Sequence, residues 1–199
     1  MSRQGTVFVV DDDPGVLSST QWLLESAGLA VETYSSAAQF LQAYDPTRPG
    51  CLLLDIRMPG MTGVELQEKL VSLGRCPPII FLTGHGDVST CAETMKSGAV
   101  DFIEKPANDN ELLSCILEAL EKDSHMRRVE QDKSEITARL RLLSQREREV
   151  MMLLYHGHLQ KQIASKLGIS VQTVSKHRTK VLEKLNVSNE AELVRLLAD

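Results

Sequence analysis

Two hydrophobic rhythms alternate along the first 122 residues. Short stretches, Thr6–Val10, Ala30–Tyr34, Cys51–Leu54, Ile79–Leu82 and Val100–Ile103, are rich in apolar residues, as expected of parallel strands buried on both faces. Between them, apolar residues recur at spacings of three and four, which predicts helices. Pro14–Ala27 carries Val16, Leu17, Leu23 and Leu24 and stops at Gly28; Ser35–Tyr44 carries Ala37, Phe40 and Leu41. Gly63–Leu73 carries Val64, Leu66, Leu70 and Val71 and stops at Gly74; Asp87–Ser97 is a weaker helix closed by Gly98. Asp109–Glu121 repeats Leu112, Leu113, Ile116, Leu117 and Leu120. Five strand–helix units predict an α/β fold, a five-stranded doubly wound parallel sheet with helices on both faces.

The rhythm then changes. Residues 122–143 contain neither Gly nor Pro, and Met126, Val129, Ile136, Leu140 and Leu143 keep a helical spacing. This predicts an amphipathic helix continuing the preceding one, its charges forming a solvated face. Ser144 and Glu147 form a capping-box pair opening a further helix, which Gly157 interrupts. Lys161–Leu167 is a short helix ended by Gly168, Ser170 caps a longer one over Val171–Leu185, and a last helix runs over 189–197. A short helix, a tight turn and a second helix form a helix-turn-helix. The expected organisation is a domain over 1–122, a helical linker over 123–140 and a small all-α domain over 141–199.

Charge sharpens this division. Residues 1–124 carry 8 basic and 18 acidic side chains, a net of −10, whereas residues 125–199 carry 14 and 9, a net of +5. An acidic front and a basic back imply different partners, with nucleic acid the first candidate for the basic part. No apolar run reaches the ~18 residues of a membrane span, and the first residues lack an export signal, so a cytoplasmic protein with no membrane partner is expected. Cys51, Cys76, Cys91 and Cys115 are too widely spaced for a zinc motif, and are expected to be buried, reduced thiols.

Candidate chemistry lies at the carboxyl ends of the strands, where open α/β sheets bind ligands. The first strand ends in Asp11, Asp12 and Asp13, the third in Asp55, the fourth in Thr83 and Gly84, and the fifth in Glu104, Lys105 and Pro106. Converging carboxylates repel, so a cation is expected between them; oxygen donors favour Mg²⁺. Lys105 and Thr83 would face phosphoryl oxygens, and no glycine-rich nucleotide loop is present. The simplest chemistry is attack of one carboxylate on phosphorus. Taken singly the residues are ordinary: Asp13 before Pro14 is a helix cap, Phe102 a core residue, Lys105 a surface residue, and Met58 and Met61 loop packing.

Taken together they carry a resemblance. Val9-Val10-Asp11-Asp12-Asp13, Leu54-Asp55-Ile56-Arg57-Met58-Pro59-Gly60, Leu82-Thr83-Gly84-His85-Gly86 and Asp101-Phe102-Ile103-Glu104-Lys105-Pro106 resemble, in order, the receiver domain of bacterial response regulators over residues 5–122. The resemblance implies a CheY-like receiver phosphorylated on Asp55 by a sensor histidine kinase. Asp11 and Asp12 would organise Mg²⁺, with Asp12, Asp55 and the carbonyl of Arg57 as direct ligands. Thr83 and Lys105 would contact the phosphoryl group, and Phe102 would be the aromatic switch that turns inward as Thr83 moves. Arg57 and His85 flank the site; they either tune hydrolysis of the phosphoryl group or are inert surface residues.

Gln160–Asn186 carries six basic side chains against Glu183 alone. Within Val171–Leu185, Val174, Val181, Leu182 and Leu185 define a buried face, while Ser175, Lys176, Thr179 and Lys180 project elsewhere. Leu143–Val150, Gly157, the Lys161–Ala164 run, Leu167–Ser170 and Thr173–His177 resemble the LuxR/NarL-type DNA-binding domain over 140–198. With the receiver, this is similar to the NarL/FixJ class, and the GHGDV run at 84–88, the FIEKP run and the linker helix point to its FixJ-like branch. The resemblance makes Val171–Leu185 the recognition helix. Ser175, Lys176 and Thr179 would meet bases, and Lys161, Arg178 and Lys180 phosphates. Gln160 and Ser175 depart from the common Asn and Lys. The last helix would pair two chains through Leu193, Leu196 or neighbours.

The expected function is a transcriptional regulator, not an enzyme, with activation the expected sense. It would pair on phosphorylation and act on promoter DNA and RNA polymerase. Two rivals are a haloacid-dehalogenase-type phosphatase, for which Gly15 stands where its motif needs Thr or Val, and an interaction module that binds no DNA.

Overall fold

The computed structural model describes residues 5–74, 76–84 and 98–198. Its elements, in order, are β1 (Thr6–Val10), α1 (Pro14–Ser26), β2 (Ala30–Tyr34), α2 (Ala37–Ala43), β3 (Gly50–Asp55), α3 (Gly63–Ser72), β4 (Ile79–Gly84), β5 (Asp101–Lys105), α4 (Asp109–Arg141), α5 (Gln145–Tyr155), α6 (Gln160–Leu167), α7 (Val171–Leu185) and α8 (Glu190–Ala198). The expected helix over Asp87–Ser97 lies outside the described residues. The chain divides into two compact units, Met1–Arg128 and Val129–Asp199, and the division falls within α4.

The first unit holds a five-stranded parallel sheet in the order β2-β1-β3-β4-β5. Strand side chains alternate between faces, and the core is split accordingly. Phe8, Val10, Leu52, Leu54 and Phe81 pack with Phe40 of α2 and Leu66 and Leu70 of α3. Val7, Val9, Leu53, Ile80 and Leu82 pack with Leu24 of α1 and Leu112 and Ile116 of α4. Burial on both faces explains why β1, β3 and β4 read as unbroken apolar runs. The expectation of five buried strands fails at the edges: β2 is partly exposed along Ala30–Thr33, and Asp101 and Glu104 of β5 are exposed.

Local signals set the helix ends. The Asp13 carboxylate accepts from the N–H groups of Gly15 and Val16, capping α1 as expected. α3 has a capping box between Thr62 and Glu65 that the sequence reading did not identify. α4 continues without a break to Arg141, as the lack of Gly and Pro predicts. Met126 and Val129 are exposed along it and Leu143 is buried. Asp123 and Arg127 belong to the first unit for a specific reason. Arg127 donates to the Asp123 carboxylate and to the carbonyls of Pro46, Thr47 and Arg48, while Asp123 accepts from the Gly50 N–H.

The second unit closes on one core, formed by Leu143, Val150, Leu154, Ile163, Val174, Val181, Leu185 and Leu193. Gly168 ends α6 in the left-handed region (φ +64°), where a side chain would be strained, and Ser170 caps α7 two residues later. Among the described residues no helix is long and apolar enough to cross a membrane.

Candidate functional site

The parallel register brings the acidic and basic strand ends together. Val10 pairs with Leu54, Asp55 with Leu82, and Gly84 with Lys105, so Asp11, Asp55, Thr83 and Lys105 share the carboxyl edge of the sheet. A Cβ at Gly63 would collide with the Asp55 carbonyl, and the Gly63 N–H donates to the Ile56 carbonyl at 3.0 Å. The start of α3 therefore packs against the loop after Asp55.

Asp11 and Asp55 are buried, at 1% and 6% exposure, and Lys105 bridges them. Its Nζ lies 2.6 Å from Asp11 Oδ2 and 2.5 Å from Asp55 Oδ1. The other oxygens accept backbone N–H groups: Asp11 Oδ1 from Asp13 at 2.9 Å, and Asp55 Oδ2 from Arg57 at 2.8 Å. Burial raises the pKa of Asp55, against the lowering pull of the Lys105 ammonium. For Lys105, burial lowers the pKa, but its two carboxylate partners outweigh this and hold it above the ordinary lysine value. The Lys105–Pro106 peptide is cis.

The expected convergence of three carboxylates is not what the structure holds. Two converge, on a lysine, while Asp12 is exposed beside them. Among the described residues no group of three or more His, Cys, Asp or Glu side chains is arranged to hold a metal. Thr83 is nearly buried, with its hydroxyl 3.5 Å from the Gly84 carbonyl. Phe102 is half-buried and stacks on Phe81, with ring centroids 5.1 Å apart. Met58 is buried and Met61 packs beside it, whereas Arg57 is exposed; His85 lies outside the described residues. Cys51 is buried, but Cys76 and Cys115 are only half-buried, contrary to expectation, and Cys91 lies outside the described residues. Burial pushes the Cys51 thiol up to about 12 and the Cys76 thiol up to about 11, and burial together with the neighbouring Asp101 carboxylate pushes Cys115 up to about 11.

In the second unit α7 buries Val174, Val181, Leu182 and Leu185 and exposes Ser175, Lys176, Thr179 and Lys180. Lys161 is exposed on α6. Three of the segment's cations have partners within the protein, and one of them, Lys166, lies 2.6 Å from His158 Nε2. Arg178 Nε donates to Glu190 at 2.6 Å, and Lys184 donates to Glu147 at 2.6 Å and to the Leu142 carbonyl at 3.1 Å. Leu193 is fully buried, which corrects its place in a pairing surface; Val194, at 38%, is exposed on the same helix and Leu196 is half-buried. The sequence reading also passed over Gln172, exposed on the outer face of α7. Placing the apolar residues on a helical wheel would have found it, because Gln172 lies opposite Val174, Val181 and Leu185.

An α/β sheet with this acidic, lysine-bridged edge, continued into a basic helix-turn-helix, defines a class: the two-component response regulators. Residues 7–117 match the response regulator receiver domain, and residues 141–197 match the bacterial regulatory proteins of the luxR family. The chain belongs to the response-regulator family whose receiver is joined to a luxR-type DNA-binding domain, a family of transcriptional regulators and not of enzymes. It is 44% identical over 190 residues to the transcriptional regulatory protein FixJ of Azorhizobium caulinodans, covering 96% of this chain and 90% of that one. It is 41% identical over 194 residues to the response regulator TodT of Pseudomonas putida, covering 98% and 86%. Among solved structures, the response regulator StyR aligns with a TM-score of 0.93 at 42% identity over 98% of both chains. Full-length FixJ of B. japonicum aligns with a TM-score of 0.60 at 39% identity over 98% of this chain and 96% of that one.

Proposed function

We propose that the chain accepts a phosphoryl group on Asp55 from a sensor histidine kinase and, so modified, pairs with a second copy and binds promoter DNA to activate transcription. The observation that carries this is the state of Asp55: buried, at the carboxyl end of a central strand, and paired with Lys105. Burial makes its carboxylate more basic and therefore a stronger nucleophile, and the lysine keeps it ionised. An Asp55 oxygen attacks the phosphorus of a phosphohistidine. The O–P bond forms as the N–P bond breaks, and the departing imidazole keeps the electron pair.

The donors available among the described residues are the Asp12 and Asp55 carboxylates and the Arg57 carbonyl, an all-oxygen set, which fits Mg²⁺. Asp12, Asp55 and the Arg57 carbonyl would hold it, with Asp11 organising them. Bound there, it would supply positive charge against the phosphoryl oxygens. Lys105 exchanges a carboxylate partner for a phosphoryl oxygen. Thr83 donates its hydroxyl to another, and Phe102 follows Thr83 inward. Phosphorylation shifts an existing equilibrium towards the pairing-competent state.

In this reading residues 1–122 act as receiver, 123–140 as linker and 141–199 as DNA-binding domain, in the cytoplasm. α7 enters the major groove. Ser175, Lys176 and Thr179 meet base edges, and Lys161, Arg178 and Lys180 meet phosphates, Arg178 through the guanidinium nitrogens beyond Nε. RNA polymerase is the downstream partner. The test is intact mass after incubation with acetyl phosphate and Mg²⁺: the wild type gains one phosphoryl mass and Asp55→Asn does not. An unshifted wild type, or an equal gain by the variant, overturns the assignment.

A further inference from the structure

The polar side chains of α7 differ in whether the protein already uses their hydrogen-bonding groups. The Thr173 hydroxyl lies 2.8 Å from that of Ser170, and the Thr179 hydroxyl donates to the Ser175 carbonyl at 3.1 Å. Arg178 is held by Glu190, and Lys184 by Glu147 and Leu142. Among the described residues, no hydrogen bond or ion pair engages the side chains of Gln172, Ser175, Lys176 or Lys180, and all four are exposed. Of these, only Gln172 combines a carbonyl acceptor with an amide donor in one planar group.

Its position is as specific as its chemistry. Successive helical residues turn by about 100°, which sets Gln172 on the same outer face as Lys176 and Thr179, opposite the buried Val174, Val181 and Leu185. It lies in the first turn of α7, and the N-terminal residues of a recognition helix are those that reach base edges. In the major groove adenine presents an N7 acceptor beside an N6 amino donor, which a glutamine amide matches in a bidentate pair. No other base offers that order.

We infer that Gln172 selects adenine at one position of the DNA site; this rests on the DNA-binding reading above. Gln172 and Lys176 are four residues apart, so about 6 Å along the helix, and the adenine lies one or two base pairs from the base met by Lys176. The Thr179 hydroxyl is committed to the backbone, so that residue offers its methyl group, suited to a thymine methyl. Gln172 is neutral, so its contribution is to sequence preference and not to the salt-dependent phosphate attraction.

The test is selection from a random duplex pool by the full-length chain, with and without acetyl phosphate and Mg²⁺. Wild type, Gln172→Ala and Gln172→Arg are compared. The wild type enriches a site with a required adenine, at which other bases bind roughly tenfold or more weakly. Gln172→Ala loses that requirement alone and keeps the rest of the site and its salt dependence. Gln172→Arg moves the preference to guanine, the base that arginine pairs with. Replacing the adenine by 7-deazaadenine weakens the wild type and leaves Gln172→Ala unaffected. An unchanged site for both variants makes Gln172 a solvated surface residue and overturns the inference while leaving the DNA-binding reading intact. Failure of the wild type to enrich any sequence overturns both.

Discussion

Replacing Glu147 separates the stability of the DNA-binding unit from that of the receiver. One Glu147 oxygen accepts from the Ser144 N–H at 2.8 Å and from Lys184 Nζ at 2.6 Å, and the side chain is only 5% exposed. Lys184 and the Ser144 N–H hold its carboxyl at about 2, well below the ordinary value of 4.5. Loss of a capping partner costs about 0.5–2 kcal/mol. The ion pair adds about 1 kcal/mol, discounted because Lys184 is 36% exposed and screened by solvent. Glu147→Ala should therefore destabilise the unit by about 2 kcal/mol, and Glu147→Gln, which keeps an acceptor for Ser144, by about 1 kcal/mol. For a unit of this size about 2 kcal/mol lowers Tm by roughly 8–16 °C. Far-UV circular dichroism follows both units, so the variant should bring forward the transition of the second unit and leave that of the receiver in place. The pH dependence has a definite sign. A carboxyl whose pKa is depressed on folding contributes fully above its unfolded value, and that contribution is lost as pH falls through the folded value. The gap between wild type and Glu147→Ala should be full at pH 7 and shrink from about 4.5 towards 2. A gap that is absent at pH 7, or constant down to pH 2.5, refutes the reasoning.

Other predictions follow from the same contacts. Arg127→Ala removes four hydrogen bonds to Asp123 and the 46–48 carbonyls and leaves Asp123 without its cation. It should destabilise the receiver by about 2–3 kcal/mol, read by far-UV circular dichroism in urea; an unchanged midpoint counts against these contacts. Leu193→Asp buries a charge in the core of the second unit and should unfold it. Val194→Asp should leave folding intact and weaken pairing of the phosphorylated chain, seen by sedimentation. Equal unfolding by both would show that the burial difference between them has no consequence.

The parts of the fold legible in the sequence are those set by local periodicity. β1, β3 and β4 are visible because both faces are buried, so every residue from Val7 to Val10 is apolar. α4 is visible because nothing between Asp109 and Arg141 breaks a helix. The edge strands were misjudged because burial there depends on how many neighbours a strand has, which only the sheet order decides. The pocket was legible as a set of residues but not as an arrangement. Lys105 bridges partners 94 and 50 positions away, and no local pattern says that its ammonium stands between Asp11 and Asp55. Leu193 was misplaced because an amphipathic helix has one apolar stripe, and sequence alone does not say whether its own domain or a second chain covers it. Arg178 and Lys184 counted as free positive charge until Glu190 and Glu147 were seen beside them.

The central claim is that one acyl-phosphate, at Asp55, makes the two-chain state more favourable. Analytical ultracentrifugation of the full chain with Mg²⁺, before and after acetyl phosphate, measures this directly, with Asp55→Asn in parallel. The account predicts a monomer that becomes a dimer on phosphorylation and a variant that stays monomeric. A stoichiometrically phosphorylated wild type that remains monomeric, or an Asp55→Asn chain that dimerises equally under the same treatment, would contradict it.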